Sequence, residues 1–143
     1  MDRHLYRTSV RWDGERRGTV SAVDLKDIEV ATPPEFPGGH EGLWSPEHLY
    51  TAAAEICLMT TFLAIAANSK VEFKEYTSTA EGVLEKTEGG FQMTEILLKP
   101  RVVVDTAEVA DKVKRLLEKA EKHCLISNSM KTRVRLEAEV VVG

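Results

Sequence analysis

Two cysteines, Cys57 and Cys124, are the residues of this 143-residue chain whose type and setting point most directly to chemistry. A thiolate is a nucleophile, and two thiols suffice for a two-electron cycle through a disulfide. Free cysteine is also among the most buried residue types and packs as a small hydrophobe. Spacing alone therefore leaves a redox pair and a packing pair both open. Cys57 falls within a long apolar run, where the middle of a helix offers no N-terminal dipole and desolvation should push the thiol pKa up. A reactive Cys57 thus requires a nearby cation. Arg16 and Arg17 fall at the tip or start of the second strand, where such a pair ordinarily reads as solvated. Glu47 lies ten residues before Cys57, about 15 Å along a helix axis. It can orient an arginine toward the sulfur, act across a symmetric interface, or simply favour the positive end of the helix dipole. His4, His40, His48 and His123 do not cluster, and no CxxC or histidine-rich spacing supports a metal site. Ser127 and Ser129 read as turn residues, since no serine elbow motif surrounds them.

The element that must carry Cys57 runs from Ser45 to Ala67. Ser45 can cap it, Pro46 suits the first helical position, and Glu47 suits the first turn. Its residues are apolar nearly all round, which predicts a helix buried on most sides. Glu55 and three threonines argue against its spanning a membrane. Before it, Leu5–Trp12, Gly18–Val23 and Ile28–Thr32 read as three short strands, with a turn at Asp13-Gly14. The segment Pro33–Trp44 holds three prolines and three glycines and reads as a loop. Its apolar residues Phe36, Leu43 and Trp44 either line a pocket near the helix start or plug the end of the core. After the helix, Val71–Lys86 and Phe91–Val104 form a hairpin about Glu88-Gly89-Gly90. Pro100 argues for an edge or a bulge in its second strand. Thr106 can cap an amphipathic helix running to about His123, with Val109, Val113, Leu116, Leu117 and Ala120 on one face. Leu125 to Ser129 breaks it, and Arg133–Val142 alternates as a final strand. The order βββ-α-ββ-α-β defines an α+β protein.

The length suits one domain spanning residues 1–143. A net charge of −4 gives no reason to expect nucleic acid or an anionic membrane as partner. Met1 to Val20 is charged and has no apolar core region, so a cytoplasmic location is expected. Two cysteines in a reducing compartment make no disulfide framework.

Read together, these residues resemble the OsmC/Ohr family of thiol-dependent hydroperoxide reductases. The resemblance is carried by Ser45-Pro46-Glu47-His48-Leu49-Tyr50, Ala52-Ala53-Ala54, Cys57 ten places after Glu47, and Cys124 a further 67 places on, followed by Ser127. Gly18-Thr19-Val20-Ser21 and the glycine-rich loop support it. It implies antiparallel sheets wrapped around a buried central helix in an intertwined homodimer with sites at the subunit interface. It implies Cys57 as the peroxidatic thiol attacking an organic hydroperoxide, Cys124 as the resolving thiol, and an external dithiol that reduces the disulfide. It requires no cofactor or metal. Glu47 would hold an arginine that stabilises the thiolate. The loop Pro33–Trp44 contains no arginine and an ungapped match places Glu15 at the expected position, so a one-residue shift selects Arg16, with Arg17 as substitute. Phe36, Leu43 and Trp44 would contact substrate. No proline follows Cys124, which marks a divergent branch. The rival expectation is an OsmC-fold protein that binds a small apolar ligand at the dimer interface, its cysteines serving as packing; a third possibility is a dithiol disulfide reductase.

Overall fold

The computed structural model describes residues 2–143. They divide into two compact units, one ending at Leu49 and the other spanning Tyr50–Gly143. Helix α1, Pro46–Asn68, opens in the first and continues through the second.

In the first unit β1 (Ser9–Gly14), β2 (Arg17–Ser21) and β3 (Ile28–Ala31) form an antiparallel sheet in that order. The chain reverses between β1 and β2 through Glu15 and Arg16, with positive φ at Gly14 (110°), which ends β1, and at Glu15 (52°). Successive positive φ values give a twist that suits a tight hairpin. Trp12 Nε1 donates to the Glu15 carbonyl at 2.9 Å, and the Arg16 carbonyl accepts from the Thr32 amide at 3.1 Å. Arg16 is thereby held at the hairpin tip. The proline- and glycine-rich segment that follows is tied back to β3. The Ala31 amide donates to Trp44 O at 2.8 Å and the His40 amide to Thr32 O at 3.0 Å. A Cβ at Gly39 would meet Pro33 O at 2.0 Å, so the closure needs glycine there.

In the second unit α1 ends as a Schellman motif. Lys70 takes φ 55°, its amide bonds Ala67 O at 3.1 Å, and the Val71 amide bonds Ala66 O at 2.9 Å. The cap consumes Val71, so β4 begins at Glu75 rather than Val71 and runs to Thr87. It pairs antiparallel with β5 (Gly90–Val104), with a bulge between Val83 and Leu84. Helix α2 (Ala107–Lys122) starts at the Thr106 cap, whose hydroxyl accepts from the Val109 amide at 3.2 Å. A one-turn helix, α3 (Leu125–Asn128), stands where the sequence suggested only a break.

The single final strand expected over Arg133–Val142 is two strands, β6 (Arg133–Leu136) and β7 (Glu139–Val142). Both pair parallel with β5, so this sheet is mixed rather than wholly antiparallel. The α2 crossover is what permits parallel pairing. It also makes β5 central, correcting the edge position suggested by Pro100. The Leu98 carbonyl accepts from the Glu137 amide at 2.8 Å, so alternate residues of β5, including position 100, turn their backbone groups toward β6 and β7. Pro100 has no N–H to offer, and the partner strand is interrupted at that level, between Leu136 and Glu139.

The core of this unit packs Ala54, Leu58, Phe62 and Ala66 of α1 with Ile96, Leu98, Val102 and Val104 of β5 and Val113, Leu117 and Ala120 of α2. Phe62 meets the rings of Phe73 and Tyr76 at 5.4 and 5.5 Å between centroids. The buried residues of α1 form one stripe. Ile56, Thr60, Leu63, Ala64 and Ala67 are exposed, so burial on most sides is not met within one chain. The helix has the length and hydropathy to cross a membrane, but that stripe is core in this unit.

Candidate active site

The second unit brings Cys57 and Cys124 together. Cys57 sits mid-helix in α1 on the buried stripe, one position before Leu58. Cys124 stands between α2 and α3, with no exposed surface, in an extended conformation (φ −70°, ψ 105°). Both are free thiols. The extended residue redirects the chain, and the backbone of Leu125 and Ile126 comes close enough to the Cys57 thiol to favour its charged form. Thr61, one turn along α1 from Cys57, places Oγ1 3.9 Å from Sγ. Thr60 instead donates its hydroxyl to the Cys57 carbonyl at 3.2 Å. Ser127 Oγ donates to Cys124 Sγ at 3.4 Å.

These contacts set the two thiols apart electrostatically. Burial pushes Cys57 up, but hydrogen bonds from the Cys124 thiol, the Ile126 amide, Thr61 and the Leu125 amide outweigh it, and the net value lies below that of an ordinary cysteine. Burial likewise pushes Cys124 up. Ser127 opposes it, but the Cys57 sulfur adds to it, and Cys124 ends above the ordinary value. The first proton therefore leaves Cys57, and Cys124 is the donor within the pair. The expected upward push of desolvation on Cys57 is present, but neutral hydrogen-bond donors outweigh it, so the net shift is downward rather than upward. Sequence reasoning gave no role at the sulfurs to Thr61 or the two amides, and read Ser127 only as a turn residue that accompanies Cys124. The Cys-x-x-x-Thr and Cys-x-x-Ser spacings were the available signal, because residues three and four apart share a helical face.

The remaining candidates lie in the first unit. Arg16, Arg17, Glu47 and Phe36 line one cleft of about 580 Å³, together with Trp12. Arg16 is seated over Gly38, where an added Cβ would come within 3.1 Å of the arginine Cγ; Gly38 has φ 79°. Leu43 and Trp44 are not among the residues lining this cleft. Trp44 is exposed and packs edge-on against His48, 6.1 Å between centroids. His48 replaces the usual glutamate of a capping box: its Nδ1 faces the Ser45 amide at 3.3 Å, while Ser45 Oγ accepts from the His48 amide at 3.1 Å. This reciprocal cap fixes the helix start that presents Glu47.

A long helix carrying one thiol, a turn after the second helix carrying the other, a mixed sheet and an N-terminal meander are the features to compare with known proteins. The sequence matches the family described as OsmC-like protein over residues 38–139, and the chain belongs to that family. It is 30% identical over 146 residues to the uncharacterized protein YmaD of Bacillus subtilis, covering 99% of this chain and 95% of that one. It is 27% identical over 132 residues to an organic hydroperoxide resistance protein of Xanthomonas axonopodis pv. citri, covering 91% and 90%. Among solved structures, an OsmC-like protein of unknown function from Vibrio cholerae superposes with a TM-score of 0.86 at 25% identity, covering 95% and 99%.

Proposed function

We propose that this chain is a thiol-dependent peroxidase that reduces organic hydroperoxides to alcohols in defence against oxidative stress. The observation that carries the reading is the placement of two buried free thiols beside each other, Cys57 on α1 and Cys124 at the turn after α2, in settings that hold one below and the other above the ordinary cysteine value. Its relatives include an organic hydroperoxide resistance protein. The Cys57 thiolate attacks the terminal oxygen of ROOH. An S–O bond forms, the O–O bond breaks, and the leaving alkoxide takes a proton to become ROH. Cys124 then attacks the sulfenic sulfur; the S–S bond forms, and the departing hydroxide leaves as water with the proton Cys124 gives up. An external dithiol returns the disulfide to two thiols.

In this proposal Arg16, with Arg17 as substitute, polarises the peroxide and supports the thiolate, and Glu47 orients it. Their shared cleft supports that assignment, and Phe36 in the same cleft suits the alkyl group. Leu43 and Trp44, on the same segment, remain proposed substrate contacts. The protein works as a cytoplasmic homodimer formed by a single OsmC-like domain per chain, with the exposed apolar face of α1 covered by a second copy.

Consumption of cumene hydroperoxide in the presence of dithiothreitol tests the reaction. The wild type should turn over, and Cys57→Ser should lose all activity. Arg16→Ala should lose orders of magnitude and Arg17→Ala much less. A wild type that consumes no hydroperoxide, yet binds an apolar fluorophore displaced by fatty acid, would replace this reading with that of an apolar-ligand carrier.

A further inference from the structure

The turn after Cys124 carries three polar side chains besides the thiol, and two are committed to the backbone. Asn128 Nδ2 donates to Lys122 O at 3.1 Å, and Ser129 Oγ donates to Leu125 O at 2.8 Å. Ser127 differs. It is buried, as is Cys124, and its hydroxyl donates to the cysteine sulfur at 3.4 Å. A buried hydroxyl whose donor is directed to sulfur, when a backbone carbonyl is the ordinary acceptor in such a turn, has a chemical consequence.

We propose that Ser127 is a positioning residue for the resolving step, holding the Cys124 sulfur toward Cys57 and supplying a hydrogen bond to the thiolate that attacks the sulfenic acid. The inference rests on the peroxidase reading for its chemistry. A thiol enclosed on all sides resists ionisation, and resolution needs the thiolate. During that step Cys124 loses its proton, the new S–S bond replaces the S–O bond of Cys57, and the hydroxyl leaves as water. Cys124 is oxidised by the oxidising equivalent that the hydroperoxide left on Cys57. The Ser127 O–H is not consumed. It strengthens as charge builds on sulfur and weakens when the disulfide forms, because a hydrogen bond to a charged acceptor is about twice as strong as one to a neutral acceptor.

The experiment separates the two chemical steps. Reduced protein is mixed with cumene hydroperoxide; sulfenic acid is trapped with dimedone, and disulfide is counted by mass spectrometry against time. Ser127→Ala should form sulfenic acid within about twofold of the wild-type rate but close the disulfide roughly tenfold more slowly. The pH dependence of closure should move alkaline, and excess peroxide should drive more Cys57 to sulfinic acid. Ser127→Thr, which keeps the hydroxyl, should recover most of the closure rate. Closure at the wild-type rate and pH profile in Ser127→Ala overturns the proposal, as does an equal loss in both steps, which marks a structural role. A second arm is independent of peroxide. In a Cys57→Ser background the Cys124 thiolate is titrated by its absorbance near 240 nm, and Ser127→Ala should titrate higher. An unchanged titration overturns the role of Ser127, whereas a wild type that forms no sulfenic acid while this titration still shifts overturns the peroxidase reading, and with it the resolving step, but not the hydrogen bond by which Ser127 favours the Cys124 thiolate.

Discussion

A thiol inside a helix is stabilised in its charged form when the chain delivers hydrogen-bond dipoles to it. For Cys57 those dipoles are the amides of Leu125 and Ile126, the Cys124 thiol and the Thr61 hydroxyl, acting together against desolvation. Thr61→Val removes one donor at nearly constant volume. The Cys57 thiol should then titrate higher, and its alkylation by iodoacetamide at pH 7 should slow severalfold; an unchanged rate would discount the 3.9 Å contact. A different cost is visible at Tyr76. Its hydroxyl is buried and has no hydrogen-bond partner among the described residues, and burial together with the charge of Glu55 pushes its pKa up to about 12. The folded protein keeps this proton where the unfolded chain, titrating near 10, has lost it. Tyr76 therefore leaves stability unchanged by pH below about 10 and lowers it as pH rises from there toward 12, where only the unfolded chain can release the proton freely. Tyr76→Phe should lose that part of the alkaline decline. At pH 7 it should also be neutral or more stable by about 1 kcal/mol in urea titration, because an unpartnered hydroxyl is removed.

At the scale of elements, several boundaries were legible as local chemistry. Ser45 and Pro46 start α1, Thr106 starts α2, and Asp13-Gly14 marks the first reversal. Pro100 was legible as a fault in the ladder but not as its place, because the missing donor can face an open edge or a gap between two partner strands. One contact between elements was invisible in the sequence. A Cβ on Gly82 of β4 would lie 2.2 Å from Thr51 Oγ1 of α1 and 2.8 Å from Met93 Cε of β5. Methionine can yield, but the threonine is branched and fixed to a helix. Gly82→Ala should destabilise by about 1–3 kcal/mol. Combined with Thr51→Ala the loss should be less than the sum of the two single changes, as chemical denaturation would show; strict additivity would mean that the strand adapts alone.

For the whole molecule, the exposed face of α1 is the decisive feature. Ile56 and Leu63 are 55% and 40% exposed on a helix otherwise chosen for apolar surroundings. A second copy covering this face should bury more than about 2,000 Å² in total. Sedimentation should find a dimer at micromolar concentration, and Ile56→Glu with Leu63→Glu should yield a folded monomer that has lost peroxidase activity. A wild-type monomer would sink the shared assembly, leaving the thiol pair of the second unit to be judged alone.

The sequence by itself determined the α+β class, the order of the principal elements, the family resemblance, and Cys57 and Cys124 as the residues to watch. Those features are written in local periodicity, caps and fixed spacings, which need no distant contact to be read. Tertiary structure decided what surrounds each sulfur. The backbone groups that act on Cys57 lie 68 and 69 residues downstream, and hydrogen bonding depends on direction in space rather than separation along the chain. It also decided that Arg16, Arg17, Glu47 and Phe36 line one cleft, since a hairpin tip, a tied-back loop and a helix start meet only when the first unit folds. Whether the last strand ran parallel was decided in the same way, by the path of α2 across its sheet.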